Sequence, residues 1–171
     1  MKSESLIIRR ADTGDAYQIL RLVKRVIQES PFFERTAEEF DFTVEVEQEY
    51  IRNSAIFIVV EVDGIIIGSA NLQRSGLSQL NHTALFGVTI LKEYTGKGIG
   101  SLLLKTVIAW AKKKKIEKIE LEVFHDNTRA IELYKKFGFE EEGKKIKAIK
   151  TEEGYKDLIF MAKFLNLGVE E

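Results

Sequence analysis

The spacing of apolar positions changes several times along the chain, and each change marks an element. Leu6–Arg10 is a short β-like run. From Ala11 to Ser30, Ile19, Leu20, Val23, Val26 and Ile27 recur at helical spacing behind the cap candidates Asp12 and Thr13. Pro31, the only proline, ends that helix. Thr36 and Glu39 have capping-box spacing, which predicts a second, less regular helix reaching about Ser54. Ala55–Val62 and Ile65–Gln73 flank Asp63-Gly64, the signature of a β-hairpin with a two-residue turn. After the polar loop Arg74–Asn81 comes a strand at Thr83–Ile90, then a helix running to about Lys115. In Lys118–Phe124, Ile119, Leu121 and Val123 alternate with Glu120 and Glu122, which predicts a strand. Asp126 or Asn127 caps a helix carrying Ala130, Leu133, Tyr134 and Phe137 on one face, and Gly138 stops it. Phe139–Leu165 reads as two strands joined at Glu152-Glu153-Gly154.

This order predicts one α/β (α+β) domain over residues 1–171, with a largely antiparallel sheet and helices on its faces. No linker, repeat or low-complexity segment interrupts it. Lys plus Arg is 26 and Asp plus Glu is 27, so the net charge is −1, which argues against nucleic-acid and membrane partners. Cysteine is absent, which removes disulfides, thiolate nucleophiles and Cys-metal sites. The two histidines, His82 and His125, are far apart, so no metal site is expected. The apolar runs are too short to span a bilayer, and the N-terminus has no signal-peptide core. A cytoplasmic protein is expected.

Three of the 12 glycines, Gly96, Gly98 and Gly100, alternate where a helix begins. Glycine allows positive φ and lets a ligand approach the backbone. A helix start leaves N–H groups without intrahelical partners, and these suit a phosphate. Gly96–Ser101 therefore reads either as a phosphate cradle or as a tight strand-to-helix turn. A P-loop is excluded because Lys97 is followed by Gly98, and the Rossmann spacing fails because its third glycine falls on Ser101 or Leu103.

The segment VTILKEYTGKGIGSLLL, followed by NTRAIELYKKFGF, resembles the GCN5-related N-acetyltransferases. The resemblance is strong over Thr83–Phe139, and the element order agrees elsewhere. It implies a mixed, mostly antiparallel sheet with helices on both faces, splayed between the strands ending at Ile90 and Phe124. Acetyl-CoA would be the donor, with its pantetheine arm on the backbone of Val88 and Ile90. Its pyrophosphate would lie on the backbone N–H groups of Thr95, Gly96, Lys97, Gly98, Ile99, Gly100 and Ser101. Thr95 stands where the family pattern has Arg or Gln, which should weaken binding without abolishing it.

Two further residues change meaning under the resemblance. Asn127 alone is a helix cap, and Tyr134 alone is a core aromatic. The family match makes Asn127 a cofactor contact and points Tyr134 at the thioester sulfur. Phe137 and Phe139 stay in the core. Lys97 could reach a CoA phosphate. Lys112–Lys115 read as a solvated helix end, His125 as structural, and His82 as a residue that could face the acceptor pocket. Many similar sequences carry a Glu where this chain has Leu85. Glu34, Glu45, Glu49 and Glu61 are alternative carboxylates, and no general base is assigned.

The function implied is acetyl transfer to a primary amine, of a small molecule or a protein N-terminus, by direct attack in a ternary complex. Homodimerisation is left open. The rivals are a non-catalytic CoA-binding sensor and a dehydrogenase-like nucleotide-binding domain.

Overall fold

The structure, a computed structural model, describes residues 4–165. Strand β1, Leu6–Arg10, pairs antiparallel with β2, Ile56–Val62. Between them lie a 3₁₀ turn at Thr13–Asp15 and helix α1, Ala16–Glu29. Asp12 Oδ1 accepts the Gly14 N–H at 2.8 Å, and Asp15 Oδ2 accepts the Asp12 N–H at 2.8 Å. Two donors at the helix entry are thereby satisfied. Helix α1 buries Ala16, Ile19, Leu22, Val26 and Ile27. The inward stripe therefore runs through Leu22, while Leu20 and Val23 are half-buried. Ser30 leaves the helix in an extended conformation because Pro31 disfavours the α region at the residue before it.

The second helix starts later than the capping box predicts. The box does form: Thr36 N–H donates to Glu39 Oε2 at 2.8 Å, and Glu39 N–H to Thr36 Oγ1 at 3.3 Å. It closes a turn only, and α2 spans Val44–Asn53 behind the Thr43 cap. A single satisfied box does not offset the cost of nucleating a helix that lacks an apolar stripe. Phe40 packs edge-on against Phe42 at 5.0 Å, and the Arg35 guanidinium lies 4.9 Å over the Phe42 ring. These contacts hold residues 35–42 as a structured loop.

The hairpin is as expected. β2 pairs antiparallel with β3, Ile65–Arg74, through a turn with φ of 50° at Asp63 and 81° at Gly64. Both values are those of the hairpin turn that Asp-Gly favours. The chain continues through β4 (Thr83–Ile90), a 3₁₀ turn at Lys92–Tyr94 and α3 (Ile99–Lys113). It ends with β5 (Lys118–Phe124), α4 (Thr128–Lys136), β6 (Glu140–Thr151) and β7 (Gly154–Phe164). The seven strands form a mixed sheet in the order β1-β2-β3-β4-β5-β7-β6. β5–β7 and β6–β7 are antiparallel, and β4–β5 is parallel. The parallel ladder holds only Thr83–Leu85 against Lys118–Glu120, so it ends well before either strand does.

Compactness divides the chain into two units: Met1–Gln73 with Gly87–Val107, and Arg74–Phe86 with Ile108–Glu171. The first fully buries Ala16, Val59, Val60, Leu72, Leu103, Leu104 and Val107, and the second Ala111, Ile116 and Ile119. Among the described residues no helix is long and apolar enough to cross a membrane.

The first unit also holds an ion network. Arg9 donates to both carboxylate oxygens of Asp15 at 2.8 Å and to Glu61 at 3.1 Å. The Arg9 hydrogen bond holds the Asp15 carboxyl below its ordinary range. A depressed folded-state pKa stabilises above the unfolded value, and that contribution is lost as pH falls through the folded one. Asp15→Asn should therefore cost about 2 kcal/mol at pH 7, less than the ~3–5 kcal/mol of a fully buried pair. Denaturant titrations should show the wild type losing that advantage below about pH 4. A constant difference down to pH 2 would mean the effect is not electrostatic.

Candidate active site

The second half of β4 runs beside β3. Leu91 N–H donates to the Ile67 carbonyl at 3.0 Å, and a Cβ at Gly68 would lie 3.4 Å from the Thr89 carbonyl oxygen. Val88 and Ile90 are half-buried there. Thr95 then donates both its N–H, at 3.1 Å, and its hydroxyl, at 2.7 Å, to the Lys92 carbonyl. Its N–H, expected among the pyrophosphate donors, is thus already engaged, and the free donors begin at Gly96.

Gly96 and Gly98 sit at φ of 73° and 83°, a region an L-residue enters only with strain. Gly100 lies within α3, so positive φ is not its reason for being there. The Gly98 carbonyl accepts the Leu102 N–H at 3.1 Å, the first helical hydrogen bond. The N–H groups of Ile99, Gly100 and Ser101 therefore lie in the first turn without intrahelical partners. Ile99 is buried and pins this turn, while Gly96, Lys97 and Gly98 are exposed. The Lys97 ammonium rests 5.3 Å over the Tyr94 ring.

In the second unit, Asn127 is the N-cap of α4. Its Oδ1 accepts the Ala130 N–H at 3.4 Å, and its carbonyl accepts the Ile131 N–H at 3.1 Å. The amide nitrogen of the side chain is not used by the cap. Asp126, just before it, takes the Lys156 ammonium on Oδ2, while Oδ1 is buried with no partner among the described residues. Tyr134 is buried, with its ring edge-on to Phe86 at 6.3 Å and tilted against Phe139 at 5.9 Å. Burial pushes its pKa up to about 12. Phe139 is fully buried, whereas Phe137 is half-buried at the helix end, where Gly138 turns the chain at φ 89°.

A groove of about 380 Å³ in the second unit is lined by Leu85, Glu120, Glu122, Glu142 and Phe160, among others. Leu85 is in register with Glu120, and Glu122 with Phe160. The Lys118 ammonium bridges Glu120, at 3.0 Å, and Glu142. The groove wall beside Leu85 thus carries carboxylates from β5. Glu61 belongs to the Arg9 network, and His125 Nδ1 accepts the Asp157 N–H at 2.9 Å. The carbonyl of exposed His82 accepts the Glu117 N–H at 2.9 Å. Glu34, Glu45 and Glu49 are exposed, as are Lys112–Lys115.

The sequence profile of the Acetyltransferase (GNAT) family matches residues 20–139. The chain belongs to the GNAT acetyltransferase family. It is similar to an N-alpha-acetyltransferase of Sulfurisphaera tokodaii, 33% identical over an alignment that covers 82% of this chain and 83% of that one. It is also similar to a spermidine N(1)-acetyltransferase of Vibrio cholerae, 28% identical over 96% of this chain and 98% of that one. An acetyltransferase of the GNAT family from Streptococcus pneumoniae superposes with a TM-score of 0.89 at 28% identity, covering 94% of this chain and 100% of that one. The GNAT fold and acetyltransferase activity are thus those of this protein, with acetyl-CoA as donor. The unpartnered N–H groups of Ile99, Gly100 and Ser101 fit the donor's pyrophosphate, and space is open at Gly98, where a Cβ would meet nothing within 4 Å.

Proposed function

We propose that residues 1–171 form one catalytic domain that transfers an acetyl group from acetyl-CoA to a primary amine, by direct attack within a ternary complex. The observation that carries this reading is the first turn of α3. Ile99, Gly100 and Ser101 present N–H groups without helical partners, behind a loop that two positive-φ glycines shape. Val88 and Ile90 offer strand backbone to the pantetheine arm, with a backbone N–H near Val88 for the carbonyl oxygen. Asn127 has its side-chain NH₂ to give. Tyr134 donates a hydrogen bond to the departing sulfur. The chain has no cysteine to carry an acyl group, which favours direct transfer. The similar proteins act on a spermidine amine and on an α-amine, and a primary amine is what these acceptors share.

An amine arrives as an ammonium and must lose a proton before it attacks. Glu120 and Glu122, beside Leu85, are the carboxylates placed to take it. Replacing each by Gln should lower kcat/KM about 10²-fold at one of the two positions. If both variants keep the wild-type pH–rate profile, solvent takes the proton. The reading itself is tested by following CoA release across amino acids, peptides, polyamines and amino sugars. Turnover with one class supports it. Tight CoA binding with no turnover on any class would make the protein a CoA sensor.

A further inference from the structure

Outside the donor elements, the first unit contains a polar side-chain pair anchored at a buried asparagine. Asn71 lies on β3 between Ala70 and Leu72 and is only 7% exposed. Its Nδ2 donates to Tyr50 Oη, on α2, at 2.9 Å. Its Oδ1 lies 2.9 Å from where a Cβ on Gly87 would be, so the amide occupies space that only a glycine leaves free. The Tyr50 ring is braced edge-on against Phe57 at 6.0 Å, yet Tyr50 is 43% exposed. A buried amide thus holds the hydroxyl of an exposed tyrosine, and the same amide abuts β4 at Gly87, one residue before Val88.

The direction of the hydrogen bond decides what that hydroxyl can do. Tyr50 Oη accepts from Asn71, so its own proton is the one available to a ligand. A fixed O–H donor matches an oxygen acceptor. We propose that Tyr50 contacts the acceptor substrate, with Asn71 as its positioning residue. The pair selects amines whose neighbouring carbon bears a carbonyl or carboxylate oxygen. Free amino acids and peptide N-termini share that chemistry, whereas a polyamine lacks it. The inference rests on the acetyl-transfer reading for its reaction, but not for its binding preference.

The test uses the full chain and matched acceptors: amino-acid amides, free amino acids, and the decarboxylated amine of each, with spermidine added. The best carbonyl-bearing acceptor should exceed its decarboxylated partner in kcat/KM by about tenfold for a neutral oxygen, and more for a carboxylate. The amide and free-acid arms separate peptide ends from amino acids. Tyr50→Phe should remove the preference by weakening the carbonyl arm alone, with the acetyl-CoA KM unchanged. Asn71→Ala should do part of the same, and Tyr50→Phe combined with Asn71→Ala should add nothing, because Asn71 works through Tyr50. An unchanged preference in folded Tyr50→Phe overturns the proposal, as does a wild type that turns over decarboxylated amines or spermidine equally well. The latter outcome leaves the acetyl-transfer reading standing. If no amine is turned over, that reading fails, and binding of the same acceptors to the CoA-saturated protein decides here. The same tenfold preference, lost in Tyr50→Phe, supports the proposal. Equal binding or none overturns it.

Discussion

Tyr134→Phe is expected to lower kcat about 10²-fold while the acetyl-CoA KM and the melting temperature barely move. The substitution keeps the ring, so the packing on Phe86 and Phe139 survives, and only the hydroxyl is lost. The size of the effect follows from what the hydroxyl can supply. With a pKa pushed up to about 12 by burial, Tyr134 is a weaker acid than a thiol of about 8.5. Complete proton transfer to the leaving thiolate is therefore uphill. Donation of a hydrogen bond as the sulfur gains charge is not, and in a buried site it is worth more than in water. The same shift sets a pH signature. The folded-state pKa is raised, so the hydroxyl keeps its proton through pH 10, where an unperturbed tyrosine is half ionised. Wild-type kcat should show no fall of Tyr134 origin between pH 9 and 10.5. A Tyr134→Phe enzyme with wild-type kcat, measured where chemistry limits turnover, would return Tyr134 to the core as packing alone.

The parts of the fold that were legible in the sequence are those governed by local rules. The alternation from Ile119 to Val123 and the apolar run Thr83–Ile90 gave β5 and β4 their observed bounds. Asp63-Gly64 gave the hairpin, and Asn127 and Gly138 the two ends of α4. The capping box does not mark the start of α2, because a capping box is equally local. Thr36 and Glu39 do satisfy each other, but that says nothing about whether a stripe follows to carry a helix. The glycine spacing left a donor cradle and a tight turn both open, and the engaged N–H of Thr95 comes from a turn that bonds back to Lys92. The groove of the second unit was not legible, because it depends on the register of Leu85 with Glu120 and of Phe160 with Gly143, set by pairing between distant segments. Asn71 did leave a signal: Ser69, Asn71 and Gln73 are polar at every second position of β3, where Ser69 and Asn71 are buried. Tyr50, 21 positions from Asn71, and Ser54, which accepts from Gln73 at 2.8 Å, give that pattern a meaning.

Gly98→Val should weaken CoA binding about thirtyfold in a protein that still folds. Two separate costs meet at this position. Gly98 holds φ at 83°, where a side chain costs about 1–2 kcal/mol of backbone strain, and its carbonyl starts α3. Relief of that strain would rotate the Ile99, Gly100 and Ser101 N–H groups away from a common target. A Cβ at Gly98 would meet nothing within 4 Å, so the free protein accommodates the new atoms without a clash. The space they fill is the space a pyrophosphate needs. Strain and bulk can be separated by degree. Gly98→Ala carries most of the strain but little bulk, so a loss that grows from Ala to Val points to blocked approach. Gly100→Val, with no positive φ to strain, should weaken binding by bulk alone. Gly76→Val, in an open part of the Arg74–Asn81 loop, should bind CoA like the wild type. Calorimetry reads all four, since each tenfold in affinity is 1.4 kcal/mol. Wild-type CoA affinity in both Gly98→Val and Gly100→Val would reduce the three glycines to a tight turn and remove the main support for the donor site.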